Sequence, residues 1–295
     1  MEEDRLNKNI SKFKKTGLEK YKSQIAKFRN AYPDIFKKET RTFKTSENIA
    51  FLVWLMSENN KKFKSAHFFL AALLLSAQDD FMDNVNIPQK EKVLYIREAN
   101  RVINGFQDKK FKKNNIKNKT VAELLDLWQL LNKSIKKSCN DTMVFNYWRL
   151  LSKNLNNAMI EEIKIIDKKT SLKNYLSIAS KSIGASFILV SYLASSGITY
   201  ELLEKLKKSF KYLNNAVRII NDIKTHNQDF KIDAVTILEK KSNGLKILKN
   251  IISYNLNKAE RELLSAETKN EREFKKIVLT AARSMVSFYN IPLNK

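Results

Sequence analysis

Glycine and proline are scarce in this sequence, with 5 glycines and 3 prolines among 295 residues. Average usage would give roughly 12% for the two together. Sandwiches, barrels and doubly wound sheets need these residues at their many turns, so the shortage excludes them, together with collagen-like and low-complexity chains. The single cysteine, Cys139, excludes an internal disulfide and indicates a reducing compartment.

Long apolar runs are also missing. The longest, Phe68 to Leu75, is far short of the ~20 residues that span a bilayer. The first residues are acidic and lack an apolar h-region, so no secretory signal is expected. A hydrophobic content of 43%, with 17 Phe, 10 Tyr and 3 Trp, excludes disorder because it can bury a large core. We therefore expect a soluble, nearly all-helical, cytoplasmic protein without stable membrane insertion.

Negative charge is in short supply, since 55 Lys and Arg face 31 Asp and Glu and leave a net charge of +24. The lysines are spread in short pairs, and only 109–119 forms a dense patch. This dispersal favours a solvated surface, with a polyanion or membrane-surface patch as the alternative. We predict no nucleic-acid partner. Residues 1–45, rich in lysine, are predicted to be a peripheral arm, and 46–295 to be the main helical domain.

Apolar residues recur at helical spacing along almost the whole chain. The spacing predicts helices over 47–57, 64–83, 89–106, 119–136, 141–165, 170–195, 199–230, 233–256 and 257–288. Gly184 lies inside the sixth of these and predicts a bend, and Asn243-Gly244 predicts a kink or an end in the eighth.

An acidic cluster closes the second predicted helix, at Asp79, Asp80 and Asp83. Asp79 and Asp83 are four residues apart, so their carboxylates project from one helix face, about 6 Å apart. Carboxylates at the tip of a buried helix need cations, and their oxygens are hard ligands that suit Mg²⁺. The alternative is a turn or N-cap cluster. Asp80 points about 100° away and is predicted to support the site.

A second polar stripe lies on the seventh predicted helix, at Asn221, Thr225 and Asp229, each four residues after the last. An amide oxygen, a hydroxyl and a carboxylate therefore share one face, and Arg218 lies one turn earlier on nearly the same face. Val217, Ile219, Ile220 and Ile223 indicate that this helix is heavily buried, so a plain solvated surface is disfavoured.

Together the two motifs, Asp-Asp-x-x-Asp and Asn-Asp-x-x-Thr-x-x-x-Asp, resemble those of the class I terpene synthases. The resemblance implies an all-α, single-domain helical bundle. It also implies three Mg²⁺ ions and a diphosphate held by Asp79, Asp83, Asn221, Thr225 and Asp229.

A third stretch, Ser182-Ile183-Gly184, resembles the kinked helix of plant-type and kaurene-synthase-like members, in which backbone carbonyls face the carbocation. Arg218 matches the plant-type arginine that binds diphosphate. Close helix packing at Gly184 and a structural ion pair at Arg218 are the alternatives. Many bacterial members carry a sensor arginine where the nearest cation here is Lys181, and end in Arg-Tyr where this chain has Phe288-Tyr289.

The resemblance implies a lyase that ionises a prenyl diphosphate and cyclises the carbocation, with a weak preference for a C20 substrate, geranylgeranyl or bicyclic. Aromatic rings are candidate cavity walls, although ordinary core packing is the commoner role: Trp54, Phe68, Phe69, Phe81, Phe187, Tyr192 and Tyr289. A homodimer is common in the family. The alternatives are a chain-elongating prenyltransferase, disfavoured by Asn221 and Thr225 where a second aspartate motif is usual, and a non-catalytic basic module for RNA or anionic lipid.

Overall fold

The structure is a computed structural model, and the residues that it describes are mostly helical with no strand among them. These residues are 11–13, 15, 18–59, 65–105, 118–165, 170–226, 233–238, 243–264, 272, 275–276 and 278–280. The chain forms two compact units, one of residues 1–145 and 194–197 and the other of residues 146–193 and 198–295. The predicted division at residue 45 stays a prediction.

The described helices of the first unit precede residue 139. They are α1 (Leu18–Ala31), α2 (Arg41–Asn59), α3 (Ser65–Asp83), α4 (Gln89–Ile103) and α5 (Lys119–Ser138). Helix α3 is the core of the unit and packs against α2 and α5. Phe68, Phe69 and Leu74 on α3 are fully buried, which explains why the sequence of this helix is apolar nearly all round.

The N-terminal residues predicted as a peripheral arm contribute buried side chains. On α1, Tyr21 and Ile25 are buried. Arg29 donates a 2.9 Å hydrogen bond to the hydroxyl of Ser46 and lies over the ring of Phe43, so α1 is fixed to the first turns of α2.

The helices of the second unit follow one another closely. They are α6 (Thr142–Ile165), α7 (Leu172–Ser182), α8 (Ala185–Ser195), α9 (Tyr200–Thr225), α10 (Ala234–Leu238) and α11 (Gly244–Leu264), apart from end residues of α6 and α8 that belong to the first unit. An apolar core joins α7, α9, α10 and α11 through Ala179, Ile219, Ile220, Leu238 and Ile252. This core occupies one side of α9 and leaves the polar stripe on another.

Several helices begin where a short polar side chain accepts a hydrogen bond from a backbone N–H of the first turn, as N-caps do. The capping side chains are Thr40, Asn118, Ser171 and Thr199, before α2, α5, α7 and α9. Helix α2 begins at Arg41, six residues earlier than hydrophobic spacing predicts. The spacing misses this start because five of residues 41–46 are polar. Helix α11 runs through the boundary predicted at 256 and 257.

Among the described residues, one segment, Leu172–Ser195, is long and apolar enough to cross a membrane by length and composition, and 72% of its apolar window is buried. Such burial is typical of a core helix. The segment is also divided at Gly184, where α7 ends and α8 begins. The predicted lack of membrane insertion stays a prediction.

Candidate functional site

The three aspartates at the end of α3 meet one arginine of α2. Nη1 of Arg41 lies 2.8 Å from Oδ2 of Asp79 and 3.6 Å from Oδ2 of Asp83. Nε of Arg41 lies 3.7 Å from Oδ1 of Asp80. One guanidinium therefore stands between the two carboxylates that the four-residue spacing brings to one face of the helix.

Asp80 turns toward the first turn of α2. One of its carboxylate oxygens accepts hydrogen bonds from the backbone N–H of Thr42, at 2.5 Å, and from the Thr42 hydroxyl, at 2.6 Å. Burial raises the pKa of Asp80, and the two hydrogen bonds and Arg41 oppose that rise. Asp80 thus joins the end of α3 to the start of α2, which is a supporting position.

A buried polar group holds α3 in place one residue before Asp79. The side-chain oxygen of Gln78 accepts hydrogen bonds from the Tyr95 hydroxyl, at 2.6 Å, and from Nε1 of Trp128, at 3.0 Å. All three side chains are buried, so they join α3 to α4 and α5 without contact with water. The acidic end of α3 therefore projects from a rigid base.

The residues at this end of α3 fit a hard divalent cation. Asp79 and Asp83 offer carboxylate oxygens, and a cationic group, the Arg41 guanidinium, already lies between them. No group of three or more acidic, histidine or cysteine side chains surrounds a common point in the described parts of the chain. Asp80 has turned to Thr42, and Asp229 lies outside the described residues, so a full ligand set needs further donors.

In the second unit, Arg218 is surrounded by carboxylates. Its Nη2 lies 2.9 Å from Oε1 of Glu162, and its Nε lies 2.8 Å from Oδ1 of Asp222. The Nε–H itself donates to the hydroxyl of Tyr175 at 2.9 Å. Glu162 also accepts a hydrogen bond from the hydroxyl of Ser182. The side chain of Arg218 is 14% exposed, and these contacts hold its guanidinium in place.

Asp222, which follows Asn221, is the buried member of this network. Its Oδ2 accepts hydrogen bonds from the Tyr175 hydroxyl, at 2.9 Å, and from the backbone N–H of Ala234, at 3.1 Å. Burial raises the pKa of Asp222 to about 6, and the charge of Arg218 opposes the rise. Burial likewise raises the pKa of the Tyr175 hydroxyl. Asp222 therefore ties α9 to α7 and α10 and orients the helix face that carries Asn221.

Asn221 and Thr225 occupy the last turns of α9, and both are partly buried. The Thr225 hydroxyl donates to the backbone carbonyl of Asn221 at 3.2 Å, which leaves its oxygen lone pairs available as ligands. Asp229 lies outside the described residues. His226 is paired with Asp233, with 2.8 Å between Nδ1 of the imidazole and Oδ2 of the carboxylate. Because the α3 aspartates and the α9 stripe lie in different units, their predicted convergence stays a prediction.

The bend predicted at Gly184 is a full break in the structure. Gly184 has φ of +66°, a left-handed conformation that glycine adopts readily, and it separates α7 from α8. The backbone ladder stops with Ile183 N–H bonded to the Ala179 carbonyl and resumes with Ile188 N–H bonded to the Gly184 carbonyl. The Ser186 N–H is bonded instead to the side chain of Asn214 on α9, at 2.9 Å. The backbone carbonyls of residues 180–183 lie between these two hydrogen bonds, where the regular i+4 pattern of the helix is interrupted.

A cavity of about 930 Å³ opens inside the second unit, between α6, α7, α8, α9 and α11. Its lining includes Lys181, the cation predicted near the kink, and Phe187, a predicted wall residue. Lys207, also in the lining, lies over the ring of Tyr147 at 4.2 Å and pairs with Glu204. The cavity wall is mainly apolar, with amides and lysines at its edges.

The other predicted aromatic wall residues lie in helix cores. Trp54 packs against Phe51 and Phe13, with ring centroids 6.0 Å and 5.6 Å away. Phe81 packs edge-on against Tyr95, with 5.1 Å between centroids. Phe68, Phe69 and Tyr192 are also buried. Tyr289 lies outside the described residues, as does most of the 109–119 lysine patch. A cavity role for these rings stays a prediction.

Sequence reasoning missed the residues that hold the motifs in place. Arg41 and Thr42 fall in the segment predicted as an arm, and Asn214, Glu162 and Tyr175 carry no motif. The three aspartates at the end of α3 predict that a cation lies beside them. The sequence does not show which of its 55 lysines and arginines that cation is, because this depends on the packing of α2 against α3.

Comparison with known proteins places these motifs in a family. The family model described as the terpene synthase family, metal binding domain, matches residues 71–243, a range that includes the α3 aspartates and the α9 stripe. No curated protein matches the chain in sequence.

Solved structures share the fold at low sequence identity. Abietadiene synthase from Abies grandis is 16% identical, with a TM-score of 0.72 over 98% of this chain and 39% of its own. Isoprene synthase from grey poplar leaves (Populus x canescens), in complex with three Mg²⁺ ions and dimethylallyl-S-thiolodiphosphate, is 16% identical, with a TM-score of 0.68 over 98% of this chain and 54% of its own. A mutant of the SVS_A2 protein from ancestral sequence reconstruction is 10% identical, with a TM-score of 0.63 over 99% of this chain and 86% of its own. This chain therefore has the all-α fold of these solved structures. It spans about two fifths of the length of abietadiene synthase and about half of the length of isoprene synthase.

Proposed function

Because the chain belongs to the terpene synthase family, we propose that it is a Mg²⁺-dependent class I terpene synthase that ionises a prenyl diphosphate. The substrate is a C20 diphosphate, geranylgeranyl or bicyclic, and the carbocation rearranges to a terpene as diphosphate is released. The observation that carries the proposal is the acidic end of α3, where Asp79 and Asp83 draw a single cationic group between them.

We propose that Mg²⁺ takes oxygen ligands from Asp79 and Asp83 in one unit and from Asn221, Thr225 and Asp229 in the other. Three ions are expected, the number in the isoprene synthase complex. When bound, Mg²⁺ supplies positive charge that stabilises the leaving diphosphate.

The residues of this chain have separate roles. Arg218, fixed by Glu162 and Asp222, donates charge-assisted hydrogen bonds to diphosphate oxygens. The carbonyls of residues 180–183 offer lone pairs to the positive charge that develops on the substrate carbon. Buried aromatic and aliphatic side chains keep water away from the cation, which water would quench.

The test is a product assay with purified protein, Mg²⁺ and C10, C15 and C20 prenyl diphosphates, measuring released diphosphate and, by mass spectrometry, hydrocarbon or alcohol products. Asp79→Asn and Asn221→Ala should each lower diphosphate release roughly 100-fold or more, since lost metal ligands remove several kcal/mol of charge stabilisation. Glu201→Gln is the matched control, because this carboxylate on α9 is 84% exposed and pairs only loosely with Lys205, 3.7 Å away.

Absence of product and of diphosphate release with all three substrates would overturn the proposal. So would release that neither Asp79→Asn nor Asn221→Ala changes. Consumption of isopentenyl diphosphate would identify a chain-elongating prenyltransferase instead. Salt-dependent binding to RNA or anionic vesicles, without turnover and unchanged in Asp79→Asn, would identify a non-catalytic module.

A further inference from the structure

The guanidinium of Arg41 contacts all three aspartates at the end of α3, at 2.8 Å from Asp79, 3.7 Å from Asp80 and 3.6 Å from Asp83. We propose that Arg41 is a built-in counter-cation, which occupies the space between Asp79 and Asp83 and has to leave it before a divalent cation binds there. We name this arrangement the Arg41 latch. It rests on the proposed function in one respect, that Asp79 and Asp83 are metal ligands.

The two cations exclude one another because they use the same oxygens. Nη1 of Arg41 contacts Oδ2 of both Asp79 and Asp83, so it lies between the atoms that a metal would join. Magnesium binds such oxygens at about 2.1 Å and keeps a compact octahedron of ligands, which leaves no room for a guanidinium in the same gap. Two positive charges so close would also repel each other.

The local fold explains why an arginine is found there. Thr40 caps the start of α2, and the Thr42 N–H and hydroxyl bind Asp80, so the residue between them, Arg41, begins the helix directly beside the carboxylates. The backbone is fixed by these contacts, while the arginine side chain is 39% exposed and can turn to water when displaced. The latch thus has a rigid base and a movable head.

The latch makes a quantitative prediction for the metal affinity of the free protein. In wild type, binding of a metal to Asp79 and Asp83 has to break the Arg41 contacts, which weakens the binding. A variant without the guanidinium has no such contacts to break. We expect Arg41→Gln to bind Mn²⁺ roughly three- to tenfold more tightly, the value of a few partly screened ion contacts. Arg41→Lys, which keeps a charge but not the planar fork, should fall between Gln and wild type.

The experiment is a titration of the full chain with Mn²⁺, followed by electron paramagnetic resonance in the absence of any prenyl diphosphate. Asp79→Asn identifies the part of the binding that belongs to this site. Lys44→Gln is the matched control: it removes the same unit of charge one turn further along α2, from an exposed side chain that pairs with none of the three aspartates. Its affinity should stay within twofold of wild type.

Several results would overturn the latch. Arg41→Gln without tighter Mn²⁺ binding, or Lys44→Gln with an equal gain, would show that Arg41 does not compete with the metal. Arg41→Lys with wild-type affinity would show that the planar guanidinium between the two carboxylates is not what competes with the metal. If Arg41→Gln does not fold, as judged by circular dichroism, the Arg41→Lys comparison decides, because it preserves the charge that offsets the aspartates.

The outcomes separate the latch from the proposed function. If wild type releases diphosphate in an Asp79-dependent manner and Arg41→Gln gains no Mn²⁺ affinity, only the latch is wrong. If wild type releases no diphosphate from any C10, C15 or C20 substrate and Arg41→Gln still gains Asp79-dependent affinity, the latch stands and the proposed function is wrong.

Discussion

Arg218 and Asp222 lie one helical turn apart on α9 and form a buried ion pair, with 2.8 Å between Nε and Oδ1. Asp222 is 1% exposed, and its other oxygen is bound by Tyr175 and by the N–H of Ala234. Even with these partners, burial raises the pKa of Asp222 to about 6. The residue next to the predicted ligand Asn221 therefore carries its charge at an energetic cost.

This cost predicts a pH dependence of stability. The folded protein holds the Asp222 proton more tightly than the unfolded chain, whose aspartates titrate near pH 3.9, so the Asp222 contribution is greatest below about pH 4 and declines up to about pH 6. A pKa of about 6 in the folded protein, against about 3.9 in the unfolded chain, corresponds to roughly 3 kcal/mol. Urea unfolding of wild type and of Asp222→Asn between pH 4 and 7 measures it as a difference. Wild type should lose roughly 2–3 kcal/mol relative to the variant over this range. A difference that stays constant with pH would contradict the assignment.

Replacement of Gln78 by leucine, a side chain of similar size, is expected to cause a large loss of stability. Gln78→Leu removes the oxygen that accepts from Tyr95 and Trp128, and both donors are buried. Buried donors left unpaired cost roughly 1–3 kcal/mol each, although the 3.0 Å contact from Trp128 to the Tyr95 hydroxyl persists and limits the loss. We expect Gln78→Leu to lower the free energy of unfolding by about 2–4 kcal/mol.

Tyr95→Phe is the matched control, because it deletes one donor and leaves Trp128 bound to Gln78. Its loss should be about 1–2 kcal/mol. Denaturant unfolding at one pH measures both variants. Equal losses for Gln78→Leu and Tyr95→Phe would show that the shared acceptor is not what matters.

Much of the fold could be predicted from the sequence because helix-forming features are local. The apolar run of α3, the capping residues before α5 and α7, and Gly184 at the break all act within a few residues. The start of α2 escapes prediction because residues 41–46, of which only Phe43 is apolar, give no hydrophobic period. Its helical conformation depends on Thr40, which caps it, and on Asp80, which lies 38 residues away from Thr42 in sequence.

The candidate site was predicted only as far as its motifs extend. The four-residue spacing of Asp79 and Asp83 fixes their common face, and the structure shows both beside one cation. Which cation, and which residues hold Arg218, depend on contacts over long sequence separations, such as Arg218 with Glu162 or Ser186 with Asn214. Such pairs leave no periodic signal in one sequence.

At Gly244, replacement of glycine by alanine is expected to destabilise a helix, although alanine is the better helix former. This glycine is the first residue of α11, and a Cβ there would lie 2.5 Å from the backbone oxygen of Leu238. Alanine gains about 1 kcal/mol over glycine in a helix interior and less at a first residue, whereas the backbone of α10 would have to shift, which costs about 1–3 kcal/mol. We expect Gly244→Ala to destabilise the protein, and Lys246→Ala, exposed in the same turn, to change stability by less than about 0.5 kcal/mol. Thermal unfolding measures both, and a stabilised Gly244→Ala would contradict the close approach.

Gly184 predicts an effect on the reaction that can be separated from its effect on stability. Its φ of +66° and the φ of +79° at Gly105 both disfavour alanine, by about 1–2 kcal/mol. A Cβ on Gly105 would meet nothing within 4 Å, so Gly105→Ala serves as a control for backbone strain alone.

Both variants should therefore lose about 1–2 kcal/mol in urea unfolding. Only Gly184→Ala should change the ratio of terpene products, because alanine favours regular helix between α7 and α8 and would turn the carbonyls of residues 180–183 back into i+4 hydrogen bonds. Mass-spectrometric product profiles of the two variants, taken with the same prenyl diphosphate, make the comparison. If Gly184→Ala gives the same product ratio as Gly105→Ala, the break between α7 and α8 serves packing, and the carbonyls at the kink have no part in steering the carbocation.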